Sequence, residues 1–551
     1  MMISDTEHRR LNSMMAELKS ARYPFWTLWR EVADYFLPKR YVWLQSHNEN
    51  RARQAKNPYI LDSTGTIAAR ILASGMMNGI TSPSRPWFRL RVPGFDTEGD
   101  AVSVWADECV RRMLFVMSES NFYNAMAVLY LDLVVFGSAA VLIYEDEDDI
   151  IRCYNPALGE FYLGQDHRLS VDTFAREFQQ SAKQLVSRFG EENVSPRVRD
   201  AWKKNDAQSL KLTSVHHLIE PNQDGNAAVP AKFKFRETYW EAGVSDRVLY
   251  QGGFNELPGI FPRWELTAND SYGTSPAMDA LPDVIQLQQE TKRKAQGLDK
   301  MINPPIVADI QLQHRPTALV PGGVTFIAGA NNFGAKPLYQ ISPPLGEMTL
   351  DIQQVQLRIR ETLHNNLFQM ISQLDTVRSA TEVDARREEK LVLLGSVLER
   401  FENEALDPAI NRIFAIMNRQ GMLPEPPAEL EDAELEIQYV SILSTAQSAV
   451  SAAPTERWVG FIGNLAAVVP DALKVPNWDE LIRNYGVAIG VQARDMRPRE
   501  DVEEERAAEQ EAAAAEQTAQ AGLAGAEGAK LLSETDVGGG SNALQQLLAT
   551  Q

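Results

Sequence analysis

The chain has 551 residues, of which 44% are hydrophobic and 23% charged, ordinary values for a globular protein long enough to bury a large core in two or more structural regions. Its formal charge of −20 argues against a bulk nucleic-acid binder, whose affinity would come from a cationic excess. Two cysteines, Cys109 and Cys153, exclude a disulfide framework and point to folding in a reducing compartment, each as a small core residue rather than a reactive thiol.

Residues 1–11 are polar and charged, without a secretory signal. Residues 5–36 read as two helices broken at Pro24. The second carries the stripe Phe25, Trp26, Leu28, Trp29, Val32, Tyr35 and Phe36, which suits core or subunit contact better than base stacking. Residues 40–58 hold Arg51, Arg53 and Lys56 without a hydrophobic pattern, as a solvated loop or a contact with DNA or a neighbouring subunit. Asp62 or Ser63 caps a helix through Ile67, Ile71, Leu72 and Met76. A rigid turn over 82–86 delivers Trp87-Phe88-Arg89-Leu90, and helices follow at 97–119 and 122–136. The most membrane-like run, 128–144, contains Asp132 and Gly137 and runs straight into five acids, so it reads as a buried helix-to-strand transition.

Residues 139–144 and 150–154 make a hairpin around the tip Glu145-Asp146-Glu147-Asp148-Asp149, a solvated turn with a metal site as the sharper alternative. Helices are expected at 172–189 and 196–204, then strands around 212–220, 232–240 and 246–250. His216 and His217, neighbours on a strand, point to opposite faces and cannot readily share a metal.

A long helix begins at Pro276, capped by Ser275, and runs to Ile302, where Asn303-Pro304-Pro305 stops it. Its middle, residues 286–294, is polar nearly all round and needs water, nucleic acid or copies of itself as neighbours. After a Pro- and Gly-rich excursion, a second helix sets Ile352, Val355, Ile359, Leu363 and Leu367 on one stripe. The loop Ser372, Gln373, Leu374, Asp375, Thr376, Val377, Arg378 follows, and residues 379–382 have capping-box spacing. The third long helix carries Leu391, Leu394, Val397, Leu398, Phe401, Ile410, Ile413 and Phe414, with a kink at Asp407-Pro408 and an end at Gly421 and Pro424. Beyond lie a strand over 435–440, helices near 443–452, 455–468 and 478–485, an Ala/Glu-rich stretch over 499–520 that is a solvated helix or disordered, and a Gly-containing tail. The fold class is α+β, predominantly helical.

No Gly-x-x-x-x-Gly-Lys-Ser/Thr loop, His-Glu-x-x-His, cysteine-pair metal site or Gly-x-Ser-x-Gly elbow occurs. The expectation is therefore no enzyme, no cofactor, no metal and no membrane partner.

Several motifs occur in one order: Ser82-Pro83-Ser84-Arg85-Pro86-Trp87-Phe88, Asn121-Phe122-Tyr123 with Phe136-Gly137, and Arg263-Trp264 with Tyr272-Gly273-Thr274-Ser275-Pro276-Ala277-Met278-Asp279-Ala280-Leu281-Pro282. Asn303-Pro304-Pro305 and Ala380-Thr381-Glu382-Val383 with Arg386 and Glu388-Glu389-Lys390 complete the series. On these residues the chain, over about 20–450, resembles the portal (head-to-tail connector) proteins of short-tailed, podovirus-type bacteriophages; Thr274 stands where that family's motif has arginine.

The resemblance implies the portal fold, assembled as a cyclic ring of twelve. A wing would span 1–275, a first stem helix 276–302, a clip 303–346, a second stem helix 347–368 and a tunnel loop 369–379. A long kinked wing helix would follow at 380–421, then a crown at 422–498 and a C-terminal tail at 499–551. It implies a channel at one capsid vertex for packaging and ejecting double-stranded DNA. Partners would be the terminase large subunit, a tail adaptor, and the major capsid and scaffolding proteins, on a virion component made in the host bacterial cytoplasm. An acidic wall would keep DNA centred, while Lys292, Arg293, Lys294 and Arg378 are candidates for transient grip. The alternatives are salt bridges, from Arg378 to Asp375 or Glu382 and from the lysine cluster to Glu290 or a neighbouring subunit. Competing with a portal are another virion structural protein, such as an internal scaffold or tail component that does not touch DNA, and a nuclease using residues 145–149.

Overall fold

The first helix, α1 (Asp5–Phe36), runs through Pro24, so the expected pair of helices is one. Proline removes a single backbone hydrogen bond, and burial on both sides of it holds the helix together. Leu11 and Met15 pack before it, while Trp29 and Phe36 are fully buried after it. The Trp29 indole donates to the Phe136 carbonyl at 3.2 Å, and Phe25, Trp29 and Tyr272 cluster ring against ring. Trp29, Val32 and Phe36 of the stripe are therefore core, whereas Leu28 is exposed.

The structure, a computed structural model, describes residues 2–38, 60–91, 101–204, 210, 212–223, 229–302, 306–307, 336–337, 344–365, 395, 397–427, 436–439, 455, 457–465, 469, 473–489 and 499–534. Expectations for the basic loop 40–58, the residues at 97–100, 303–305 and 435, most of the clip, the tunnel loop and capping box within 366–394, the helix at 443–452, the residues at 466–468 and the Gly-containing tail lie outside these residues.

The elements after α1 are α2 (Thr64–Ile80), β1 (Phe88–Arg91), α3 (Ala101–Glu119), α4 (Phe122–Phe136), β2 (Val141–Asp146), β3 (Ile150–Tyr154), β4 (Phe161–Gln165) and β5 (Val171–Ser181). Then come α5 (Ala182–Phe189), α6 (Pro196–Lys204), β6 (Leu212–Pro221), β7 (Phe235–Glu241), β8 (Tyr250–Phe254), β9 (Gly259–Ile260) and α7 (Pro276–Ile302). The rest are β10 (Ile306–Val307), β11 (Lys336–Pro337), α8 (Leu345–Thr362), a π-helical turn (Glu402–Leu406) leading into α9 (Asp407–Arg419), β12 (Glu436–Tyr439), α10 (Trp478–Ile489) and α11 (Arg499–Glu534). They fall into two compact units: residues 1–87, 112–423 and 441–447, and residues 88–111, 424–440 and 448–551.

In the first unit β4 to β8 form an antiparallel sheet in sequence order, and β2 lies between β3 and β9 in a smaller one. Here the expected helix over 172–189 is corrected: β5 occupies its first part, and the helix starts only at Ala182, behind a capping box between Ser181 and Gln184. Two polar residues of β5 have partners across the sheet, Arg176 lying opposite His217 and Glu177 opposite His216. β4 was not anticipated, and the last two strands sit three to four residues later than expected. One face of the sheet packs Tyr162, Ala175, Leu218 and Trp240 on Leu11 and Met15 of α1. The other packs Val215, Tyr239 and Leu249 on Leu185 of α5 and Val198 of α6.

The acidic tip is a turn in which three of the five carboxylates are engaged, Glu145 with Arg419 and the other two locally. Asp146 Oδ1 accepts the N–H groups of Asp148 and Asp149, both at 3.0 Å, and Asp149 pairs with Arg152 at 3.1 Å. Among the described residues no cluster of His, Cys, Asp and Glu could hold a metal, and no helix is long and apolar enough to cross a membrane. The run 128–144 is the expected buried transition, from α4 through Gly137 into β2.

In the second unit β1 and β12 pair antiparallel, Phe88 opposite Tyr439 and Arg91 opposite Glu436. The Trp105 indole donates to the Pro424 carbonyl at 3.0 Å. α11 is helical to Glu534, past the expected limit, and Arg506 on it pairs with Asp479 of α10.

Candidate functional site

α7 begins where the sequence places it. Ser275 Oγ accepts the Met278 N–H at 3.1 Å and donates to the Val135 carbonyl at 2.8 Å, so the cap also ties the helix to α4. Just before it, Gly273 lies backbone against backbone with Gly137, the left-handed residue (φ +73°) that ends α4. A Cβ on Gly137 would sit 2.3 Å from the Gly273 oxygen, and one on Gly273 would sit 2.5 Å from the Gly137 oxygen. Thr274 donates its N–H to the Glu265 carbonyl at 2.8 Å.

α7 and α8 run antiparallel, as two cross-links show: Lys294 Nζ donates to Thr349 Oγ1 at 2.8 Å, and Arg358 meets Asp283 at 3.0 Å. α8 buries Ile352, Val355 and Ile359, and Leu363 just past its end, the expected stripe; Leu367 lies outside the described residues.

The polar middle of α7 is only partly solvated, contrary to the sequence reading. Gln288 is buried, its Oε1 accepting the Leu61 and Asp62 N–H groups at 2.7 and 2.8 Å while its Nε2 donates to the Asp62 carbonyl at 2.9 Å. Asp62 in turn accepts from Gln356 and caps α2 through Thr64, whereas the Ser63 side chain makes no capping bond. The signal was present: Gln288 stands four residues after Val284, on the helix's buried stripe.

Beyond Gln288 no residue of α7 is buried. Residues 289–302 carry four basic and two acidic side chains, a local excess opposite in sign to the whole chain. Lys292 and Arg293 are exposed and make no hydrogen bond or ion pair among the described residues; Glu290 instead accepts from Gln286 at 2.6 Å. Of the grip candidates, then, Lys294 is tied to Thr349, while Lys292 and Arg293 are open to an incoming anion. Arg378 and the rest of 372–378 lie outside the described residues.

The third long helix enters the described residues at 395 and buries Leu398, Phe401, Ile410 and Ile413. Just before Asp407-Pro408 it makes a π-helical turn over Glu402–Leu406. That turn carries Glu404 to Arg263, a guanidinium 1% exposed that donates to both carboxylate oxygens, at 2.7 and 3.2 Å, and to Gln165 and the Leu169 carbonyl. Glu402, without such a partner, is pushed up to about 7 by burial and by the charges of Asp407 and Glu399. α9 is pinned by Arg412 and Arg419, which share Glu256 at 2.6 and 2.8 Å, and Gly421 (φ +66°) closes it as expected.

His216 and His217 do face opposite sides of β6. His216 meets the Trp240 ring edge-on, while His217 stacks on Tyr239 with centroids 4.0 Å apart. His217 is fully buried between Glu237, 2.8 Å from its Nε2, and the Arg176 Nε–H, which donates to Nδ1 at 3.1 Å. Burial is the main cause that lowers its pKa from 6.5 to about 4, against the opposing pull of Glu237. The unfolded chain therefore binds a proton that the folded one refuses between those values. Stability is full above pH 6.5 and falls as the pH drops through about 4. Urea unfolding should show a loss of roughly 3 kcal/mol across that window, and His217→Phe should flatten it; an equal slope in the variant would assign the loss to other groups.

The family model for bacteriophage head to tail connecting proteins matches residues 8–496. The chain belongs to that family. It is 39% identical over 545 residues to the portal protein of Salmonella phage epsilon15, covering 97% of this chain and 96% of the relative. It is 35% identical over 526 residues to the probable portal protein of Bordetella phage BPP-1, covering 93% of each. In this connector the resemblance motifs that fall among the described residues are joints between elements. The Trp87 indole donates to the Tyr123 hydroxyl at 3.2 Å. The Asn121 amide bonds both backbone groups of Cys153 at 2.8 Å, Arg263 seats Glu404, and Gly137 meets Gly273. Sequence reading had named these residues as motif members without assigning them that work.

Proposed function

We propose that this connector is a portal protein, a ring of twelve copies at one capsid vertex through which double-stranded DNA is packaged and ejected. The observation that carries the reading is the end-to-end match with two portal proteins. The hairpin of α7 and α8 supports it. It leaves Leu298, Met301, Ile302, Leu350 and Leu357 exposed along its length, apolar residues that neighbouring copies would cover.

In this reading α7 and α8 are the stem, residues 303–346 the clip that receives the terminase large subunit and later the tail adaptor, and 369–379 the tunnel loop. Residues 380–421 complete the wing, and 422–498 form the crown inside a head built with major capsid and scaffolding proteins. The acidic balance of the chain keeps a duplex from sticking, because tight binding needs neutralised phosphates. Lys292, Arg293 and Arg378 give transient grip. The protein does no catalysis and works as part of the virion after synthesis in the bacterial cytoplasm.

The test is native mass together with ring symmetry counted from averaged micrographs. A closed dodecamer of about 740 kDa is expected from a 61.6 kDa chain. Rings carrying Lys292→Glu with Arg293→Glu should keep that mass and translocate DNA more slowly. A monomer or dimer under assembly conditions would instead favour a virion component that does not form a channel.

A further inference from the structure

A cavity of about 530 Å³ opens between the hairpin β2–β3 and β5 of the five-stranded sheet. Three guanidinium groups reach its lining from three directions: Arg152 from β3, Arg176 from β5 and Arg188 from α5. Arg176 is the telling one. It is 9% exposed, its Nε is spent on neutral His217, and its guanidinium lies over the Phe178 ring at 4.2 Å. Among the described residues its outer nitrogens meet no acceptor. Arg188 donates to the Tyr239 hydroxyl at 3.0 Å and likewise meets no carboxylate there.

The acids at the rim are committed elsewhere. Glu145 is held by Arg419 at 2.5 Å, and Asp146 is turned into its own β-turn. Glu237, behind His217, accepts from Tyr144 at 2.8 Å. On the same wall the Gln180 Oε1 is buried without a donor. Arg152 and Arg188 are exposed and Arg152 also pairs with Asp149 at 3.1 Å, but the buried Arg176 guanidinium, without a carboxylate and beside a stranded acceptor, is costly unless a ligand completes it.

We propose that this pocket binds a phosphate group. Donors converging from three elements suit a tetrahedral oxyanion, whereas a planar carboxylate would engage a single fork. The stranded Gln180 oxygen would accept from a hydroxyl of the ligand. The cavity exceeds a bare phosphate, and Tyr144, Tyr154 and Phe178 give it aromatic walls. The ligand is thus a nucleotide phosphate, free or as part of a strand.

Calorimetric titration of the full-length protein with inorganic phosphate and with thymidine monophosphate tests this. Saturable binding is expected, tighter for the nucleotide. It should weaken roughly tenfold in Arg188→Gln and about threefold in Arg152→Ala, both surface changes that leave the melting temperature near wild type. Competition by an oligothymidine lacking terminal phosphates would assign the group to a nucleic-acid backbone, and no competition to a free nucleotide. Absence of saturable binding in the wild type, or wild-type affinity in both variants, overturns the site.

Discussion

Gly137→Ala is expected to leave almost no folded protein. The added methyl would lie 2.3 Å from the Gly273 oxygen and 2.6 Å from Thr274, both backbone positions that cannot swing aside. The left-handed φ of +73° adds its own penalty for a residue with a Cβ. Together these cost about 4 kcal/mol or more, a large part of the stability of an ordinary domain. Gly243→Ala separates the two causes, since that residue has φ +80° with nothing within 4 Å of its Cβ position. It should lose only about 1 kcal/mol. Urea midpoints of the two variants, measured on unassembled chains, decide the matter. Equal losses would mean that the backbone contact between the two glycines is not what makes position 137 intolerant.

The second large effect is expected at Arg263. Arg263→Met removes a guanidinium that is 1% exposed and strands Glu404 together with the Gln165 side chain and the Leu169 carbonyl. Breaking a buried pair from one side costs about 4 kcal/mol. Glu404→Gln should cost less, because the amide oxygen still accepts from the Arg263 backbone N–H, which now donates to Glu404 at 2.9 Å. The Arg263→Met, Glu404→Gln double variant should then lose less than the sum of the two. Strict additivity would show that the two side chains contribute independently, and that the π-helical turn is held by something else.

How far the sequence could be read depended on whether local pattern and burial agreed. They agree at Ser275-Pro276, where cap and first-turn proline open α7, and along Ile352, Val355, Ile359 and Leu363. They agree again at the hairpin around residues 145–149 and at the left-handed Gly421. They part wherever a polar group is buried with a partner far away in sequence. β5 reads as helical because Arg176 and Glu177 look like surface residues, whereas their partners His217 and His216 lie on another strand. Gln288 reads as solvated because its partners, the backbone groups of Leu61 and Asp62, leave no trace in the pattern of α7. Pro24 reads as a break because its flanking burial against the sheet and α4 is a tertiary fact. The family was legible through ordered motifs alone. Composition says nothing of it, and an acidic chain would have pointed away from DNA.

The five-stranded sheet also sets an order of events during folding. The chain leaves the helical part of its unit after Tyr154 and returns at Gly259, where β9 closes on β2 with Val141 opposite Ile260. Within that excursion every strand pairs with its neighbour in sequence, so the sheet forms from short-range closures. The meeting of Gly137 with Gly273 needs a far longer loop to close, at an entropic cost the finished sheet has largely met by bringing the ends together. α7 and α8, with their uncovered apolar residues, are docked only after that corner shuts. The apolar surface that these two helices leave uncovered is thereby held back until the rest of the unit has folded.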